Sequence, residues 1–248
     1  MIPLRDANPT RRTPVVTLAL IGACVIAFAW ELGILVSGGR GGEEALDRFI
    51  ADHGLVPAAL SSALAGGAIL SEAVLDSMTS LFLHAGWLHL AGNMLYLWIF
   101  GNNVEDRLGR LGFLLFYLVG GFAADLTQVA IDPHAEVPLI GASGAIAAAL
   151  GAYLVLFPRA RIQSLVFLGF FYQLIAIPAI LVLGFWFVLQ LIDGFASLGA
   201  STAADAGVAF FAHIGGFVFG LAVGVVARLM DRRGARPVAP RPQAGGVG

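Results

Sequence analysis

Four side chains, spread over three separate stretches of the 248-residue chain, have the types that hydrolytic chemistry needs. Ser143 stands in PLIGASGAIAAALGAYLVLF (138–157), with Gly141 before it and Gly144 after it, at the mouth of an apolar run that continues to Pro158. His213 sits near the start of another apolar run, AHIGGFVFGLAVG, and His89 and Asn93 lie four residues apart in WLHLAGNMLYLW. A serine hydroxyl is a weak nucleophile until a neighbouring imidazole takes its proton. His213 is the candidate base, provided the two atoms come within about 2.6–3.2 Å. Attack on a carbonyl creates an oxyanion that requires hydrogen-bond donors. The Ser143 N–H, at a helix start whose first amides lack intrahelical partners, is one candidate donor. The side chains of His89 and Asn93, on one helix face at i and i+4, are two more.

Each of these residues also has a plainer reading. Serines in membrane helices bond back to the preceding turn, a histidine–asparagine pair can staple two helices, and His213 can be a satisfied packing residue. Position favours chemistry. After His213, glycines recur every four residues at Gly216, Gly220 and Gly224, and Gly144, Ala148 and Ala152 repeat the spacing on the Ser143 run. Two such small faces let helix backbones approach closely, which carries Ser143 and His213 to the same end of one interface. No acidic residue stands where it would orient His213, so the expectation is a Ser–His dyad. The surroundings of Ser143 do not make the G-x-S-x-G elbow. A metal held by His84, His89 and His213 lacks an H-E-x-x-H motif and a carboxylate beside the pair, so no metal and no cofactor are expected.

The elements that must position these groups are membrane helices. The chain is 58% hydrophobic and 12% charged, with a mean hydropathy of +0.87, outside the range of soluble globular domains. Apolar runs fall at about 14–36, 81–101, 111–131, 143–157, 177–195 and 208–229. There is no lysine. With the N-terminus inside, twelve arginines fall on the cytoplasmic side and only Arg40 and Arg48 outside, so the positive-inside rule supports six spans with both termini cytoplasmic. This is an all-α polytopic membrane protein by expectation: a cytoplasmic segment (1–13), a six-helix membrane domain (14–229) and a disordered cytoplasmic tail (230–248). The apolar stretch between Ile162 and Ala176 reads as interfacial or as a lead-in to the fifth span, with a seventh span as the alternative. The loop at about 37–76 is expected in or against the outer leaflet. Glu31, Asp125, Gln128 and Gln190 are expected to bond locally or face water. The lone Cys24 excludes an intramolecular disulfide, and nothing in the charge pattern points to nucleic acid.

Three motifs, His89-x-x-x-Asn93, Gly141-x-Ser143-Gly144 and Ala212-His213-x-x-Gly216-x-x-x-Gly220, resemble in order and spacing those of the rhomboid intramembrane serine proteases, over about residues 14–229. The resemblance implies a six-transmembrane-helix rhomboid-like bundle with Ser143 as nucleophile, His213 as general base, and an oxyanion pocket from the Ser143 N–H, His89 and Asn93. Gly141, Gly144, His84, Gly216 and Gly220 would support the site. His84 is similar to a family histidine in the support network of the first loop, and Glu105 and Arg107 resemble a charged pair after the second span. The implied activity is that of a serine-type endopeptidase in a bacterial inner membrane, acting within the bilayer on single-span membrane proteins, without metal or nucleotide. The fifth span and the loop 196–207 would move to admit substrate laterally. Two departures stand out. The first loop lacks the Trp-Arg pair of many members, and Ala147 occupies the position where some carry an aromatic ring stacked on the histidine. The alternatives are an inactive rhomboid-like protein that binds membrane clients, which typically lacks the serine or the histidine, and a small transporter, for which internal symmetry is missing.

Overall fold

Helix α1 (Val15–Ser37) opens the helical part of the computed structural model, which describes residues 1–169, 171–198 and 208–234. Pro14 precedes it, and its first amides are satisfied from far along the chain. The N–H groups of Val16 and Thr17 and the Thr17 hydroxyl donate to the buried Glu105 carboxylate at 3.0, 2.7 and 2.8 Å. A carboxylate here answers both the orphan donors and the positive end of the helix dipole. Glu105, expected only as a turn residue, is thus a cap for α1.

Three short helices, α2 (Gly42–His53), α3 (Pro57–Ala65) and α4 (Glu72–Thr79), build the long segment after α1. Leu55 exchanges two backbone hydrogen bonds with Leu139, at 3.0 and 2.8 Å, and Ser77 of α4 donates to the buried Asp125. The second apolar run is one helical stretch: α5 (Trp87–Tyr96), a π turn (Leu97–Gly101) and α6 (Asn102–Leu108). It ends at Gly109, whose φ of 76° turns the chain into α7 (Arg110–Ile131). Then follow α8 (Ser143–Leu156), α9 (Ala179–Ser197) and α10 (Phe210–Gly234).

Four of the described helices are long and apolar enough to cross a bilayer: Val15–Ser37, Arg110–Ile131, Ala179–Ser197 and Phe210–Met230. Their outward faces carry exposed apolar side chains such as Leu18, Leu111, Phe185 and Val225, where a soluble protein would be polar. Helix α8 is shorter, at 14 residues, and every residue from Gly144 to Tyr153 is buried. It is the central post of the bundle. Helix α10 packs on it most extensively of all, with α7 alongside both. The small faces meet as the spacing requires: a β-carbon on Gly216 or Gly220 would overlap the carbonyl oxygen of Gly144 or Ala148, respectively. Phe100, Phe113, Tyr117, Tyr153 and Phe217 fill the rest of the core.

The all-α expectation needs correction. Residues 2–6, 161–168 and 171–178 form a three-stranded antiparallel sheet in the order β1 (Ile2–Asp6), β2 (Arg161–Leu168), β3 (Phe171–Pro178). The stretch read as interfacial or as a lead-in is a hairpin, paired from Leu168↔Phe171 to Arg161↔Pro178, with Gly169 at φ 66° beginning its turn. Valine, isoleucine and aromatic residues favour a pleated strand, and hydrophobicity alone did not separate that from an interfacial segment. Asp6 fixes β1 by accepting hydrogen bonds from Tyr153 Oη (2.9 Å) and Asn103 Nδ2 (2.7 Å). The expected disordered tail beyond Gly234 and most of the 196–207 loop, Asp205 included, lie outside the described residues.

Candidate active site

Ser143 is the first residue of α8. The turn delivering it is fixed by Gly141, whose N–H donates to the Ser80 carbonyl at 2.9 Å. At φ 126° this position excludes side chains that glycine does not carry, and a β-carbon would lie 2.8 Å from the His89 ring. The first amides of α8, with Ala142 at the cap and no side chain capping them, point out of the helix start.

His213 lies in the first turn of α10. That turn is anchored by Gln128 of α7, whose Oε1 accepts the Ala212 N–H at 3.2 Å. The His213 Nε2 is 2.8 Å from Ser143 Oγ, across 70 residues of sequence. Its Nδ1 is 2.7 Å from Oε1 of Gln190, on α9. Trp186, one turn earlier on α9, places its ring 6.0 Å from the imidazole at 37°. An aromatic neighbour is therefore present although Ala147, fully buried on α8, cannot supply one.

His89 and Asn93 present one face of α5 to the same space. His89 Nδ1 accepts the Ala85 N–H at 3.3 Å, so the neutral ring carries its hydrogen on Nε2, which is turned towards Gly141. Asn93 is 8% exposed, and its Nδ2 donor is buried without a partner among the described residues. A buried amide donor left unmade is costly, by about 1–3 kcal/mol, and such a group is where an acceptor belongs. His84 stands behind His89, ring centroids 5.1 Å apart, with its backbone N–H donating to Glu31 of α1 at 3.2 Å. His84 Nδ1 lies 3.1 Å from the Phe82 carbonyl oxygen, and its buried Nε2 has no partner among the described residues.

Ser143, His213, His89 and Asn93 all line one cavity of about 960 Å³. Ile146 and Leu150 extend its wall along α8, so it follows that helix for about 10 Å from Ser143 at 1.5 Å per residue. Apart from the polar quartet and a few neighbours it is apolar, with Tyr96, Trp186 and Phe211 among its walls. Of the other residues expected at the site, Gly141 and His84 stand against the His89 ring, whereas Gly144, Gly216 and Gly220 lie in the α8–α10 contact and not on the cavity wall. Gly144 meets Ala124 of α7 with its Cα face and Gly216 with its carbonyl, so it serves two helix contacts. Glu31, Asp125, Gln128 and Gln190 do not bond locally as expected. Glu31 reaches the His84 backbone N–H ahead of α5 and the other three each reach another helix, and the signal available in the sequence was their rarity in apolar helices, where a polar side chain needs a partner.

A mostly helical integral membrane protein with a serine and a histidine in hydrogen-bond contact beside an apolar cavity is the class that fold and site define. A Rhomboid domain model matches residues 71–229, and the chain belongs to the rhomboid family. It is 37% identical over 122 residues to rhomboid protease GluP of Bacillus subtilis (strain 168), covering 49% of this chain and 23% of that protein. It is 42% identical over 69 residues to the chloroplastic rhomboid-like protein 11 of Arabidopsis thaliana, covering 28% of this chain and 24% of that one. It is also 32% identical over 79 residues to inactive rhomboid protein 1 of Drosophila melanogaster, covering 32% of this chain and 5% of the relative. The chain thus spans less than a quarter of the length of these relatives.

Proposed function

We propose that this chain is an intramembrane serine endopeptidase that cuts single-span membrane proteins within or near their transmembrane segment. The observation that carries the reading is the 2.8 Å approach of His213 Nε2 to Ser143 Oγ on the wall of the 960 Å³ cavity. His213 takes the hydroxyl proton as Ser143 attacks the scissile carbonyl, then returns it to the leaving amine, and water releases the acyl group by the same exchange in reverse. The oxyanion is met by the Ser143 N–H, the Nε2–H of His89 and the unpartnered Nδ2 of Asn93, donors already in place before reaction.

In this reading six spans cross the bilayer with both termini cytoplasmic, and α8 is short because it descends only from the floor of the cavity. Substrate reaches Ser143 laterally, its apolar side chains lying along the apolar wall. Similarity to a relative named as a protease supports the activity. Similarity to one named inactive supports the client-binding alternative, against which stands the intact Ser143–His213 pair. Purified protein should cleave a single-span reporter in detergent micelles, and a fluorophosphonate should label Ser143. Ser143→Ala should abolish both while leaving expression and thermal unfolding unchanged. Undiminished cleavage by that variant would reject the proposal.

A further inference from the structure

Resting on the proteolytic reading of the Ser143–His213 pair, we propose that Gln190 is the positioning residue of the base: it fixes the tautomer and the plane of His213, with Trp186 holding the ring from the side.

The hydrogen bonding leaves one arrangement. A side-chain carbonyl oxygen only accepts, so Gln190 Oε1 at 2.7 Å requires the hydrogen of the neutral ring to be on Nδ1. Nε2 then carries the lone pair, and it faces Ser143 Oγ at 2.8 Å, ready to accept the hydroxyl proton. Without an acceptor at Nδ1, either nitrogen can hold the hydrogen, and the tautomer with Nε2–H cannot act as a base towards Ser143. Gln190 does this with a neutral amide, avoiding the desolvation of a carboxylate buried in an apolar bundle.

The surrounding sequence fits the role. Helix α9 is AILVLGFWFVLQLIDGFAS, in which Gln190 is the one polar side chain before Asp193. Trp186 and Gln190 are four apart and share the face that meets α10. The two helices come close at Gly194, where a β-carbon would stand 3.2 Å from Ile214 Cδ1 and 3.4 Å from Phe210 Cβ. That contact, one turn beyond Gln190, brings the amide within reach of the imidazole. The other titratable side chains on the wall of the cavity that His213 lines are, among the described residues, His89, Tyr96 and Asp132. The bland reading is a staple, in which Gln190 merely joins α9 to α10, and the two readings separate experimentally.

The test is steady-state cleavage of a single-span reporter by the wild-type protein, Gln190→Leu and Gln190→Glu across the acid limb of the pH profile. It is combined with NMR of the histidine ring nitrogens, with His213→Ala assigning the signal. Gln190→Leu should lower kcat about 10- to 100-fold with KM changed less than about twofold, and should show His213 in mixed tautomers. Gln190→Glu offers the same acceptor with a charge. It should restore kcat to within about tenfold of wild type and move the acid limb to higher pH by about one unit, because a carboxylate favours the imidazolium. A staple predicts equal loss in both variants, in step with lost thermal stability, and an unmoved limb; that result overturns the proposal. So does wild-type His213 carrying its hydrogen on Nε2, or Gln190→Leu retaining kcat within about threefold of wild type. Should the wild-type protein cut no reporter, the dyad reading fails, and the ring-nitrogen shifts still decide the Gln190 assignment.

Discussion

Gly220 of α10 rests against the carbonyl of Ala148 of α8 with no room for a β-carbon between them. This contact, repeated one turn earlier by Gly216 on Gly144, sets how close the helices bearing His213 and Ser143 can lie. It works in both directions, since a β-carbon on Gly151 of α8 would overlap the Phe217 carbonyl oxygen of α10.

Enlarging Gly220 must therefore separate the helices rather than push aside a flexible side chain. Gly220→Val should cost at least about 2 kcal/mol in SDS unfolding, at the upper part of the range for overpacked cores, and should abolish cleavage. Gly22→Ala on α1 is the control: nothing lies within 4 Å of the added carbon, and stability should not fall. A Gly220→Val protein as stable as wild type would mean that the α8–α10 contact does not hold the bundle.

Asn93 offers the cavity a buried donor that has no partner among the described residues. Asn93→Ala should reduce kcat by about 10²- to 10³-fold with little change in KM, the usual cost of one oxyanion donor. Asn93→Asp, nearly the same shape but an acceptor when ionised, should fare no better. Cleavage by Asn93→Asp near the wild-type rate would remove Asn93 from the proposed oxyanion pocket.

Ser77 and Asp125 tie α4 to α7 through a hydrogen bond between buried side chains. Ser77→Ala should destabilise by about 1–3 kcal/mol, because it strands a buried carboxyl group rather than because the bond itself is strong. The double variant Ser77→Ala/Asp125→Leu should be less harmful than the two single effects summed. Additive losses in thermal or chemical unfolding would count against this account.

Asp6 joins β1 to the ends of α6 and α8, and desolvation at its half-buried site pushes its carboxyl above the ordinary 3.8, with the Tyr153 hydrogen bond opposing. The folded state then holds the Asp6 proton more tightly than the unfolded chain does. Its contribution to stability is therefore fully present below the ordinary value and diminishes as pH rises through the raised one. Asp6→Asn should remove that part of the pH dependence in unfolding experiments. Identical pH profiles for the two proteins would show that Asp6 is not held this way.

Much of this site is legible in the residues themselves. The four-residue repeat of small side chains after His213 and after Ser143 fixes which faces can touch, and the distribution of arginines fixes an expected orientation. Together they bring a serine and a histidine 70 residues apart to the same end of one helix pair, since backbone proximity follows from what the side chains lack. The sequence read Glu31, Asp125, Gln128 and Gln190 as bonding locally or facing water, whereas each bonds a group far along the chain. It did not identify the partners, because a hydrogen bond between helices depends on rotation and tilt that no single helix specifies. Only the tertiary structure decided that Gln190 meets His213, that Glu105 caps α1, and that Trp186 stands beside the imidazole. It alone turned the 161–178 stretch into a hairpin, because strand pairing with β1 satisfies backbone groups that an isolated apolar segment would leave open.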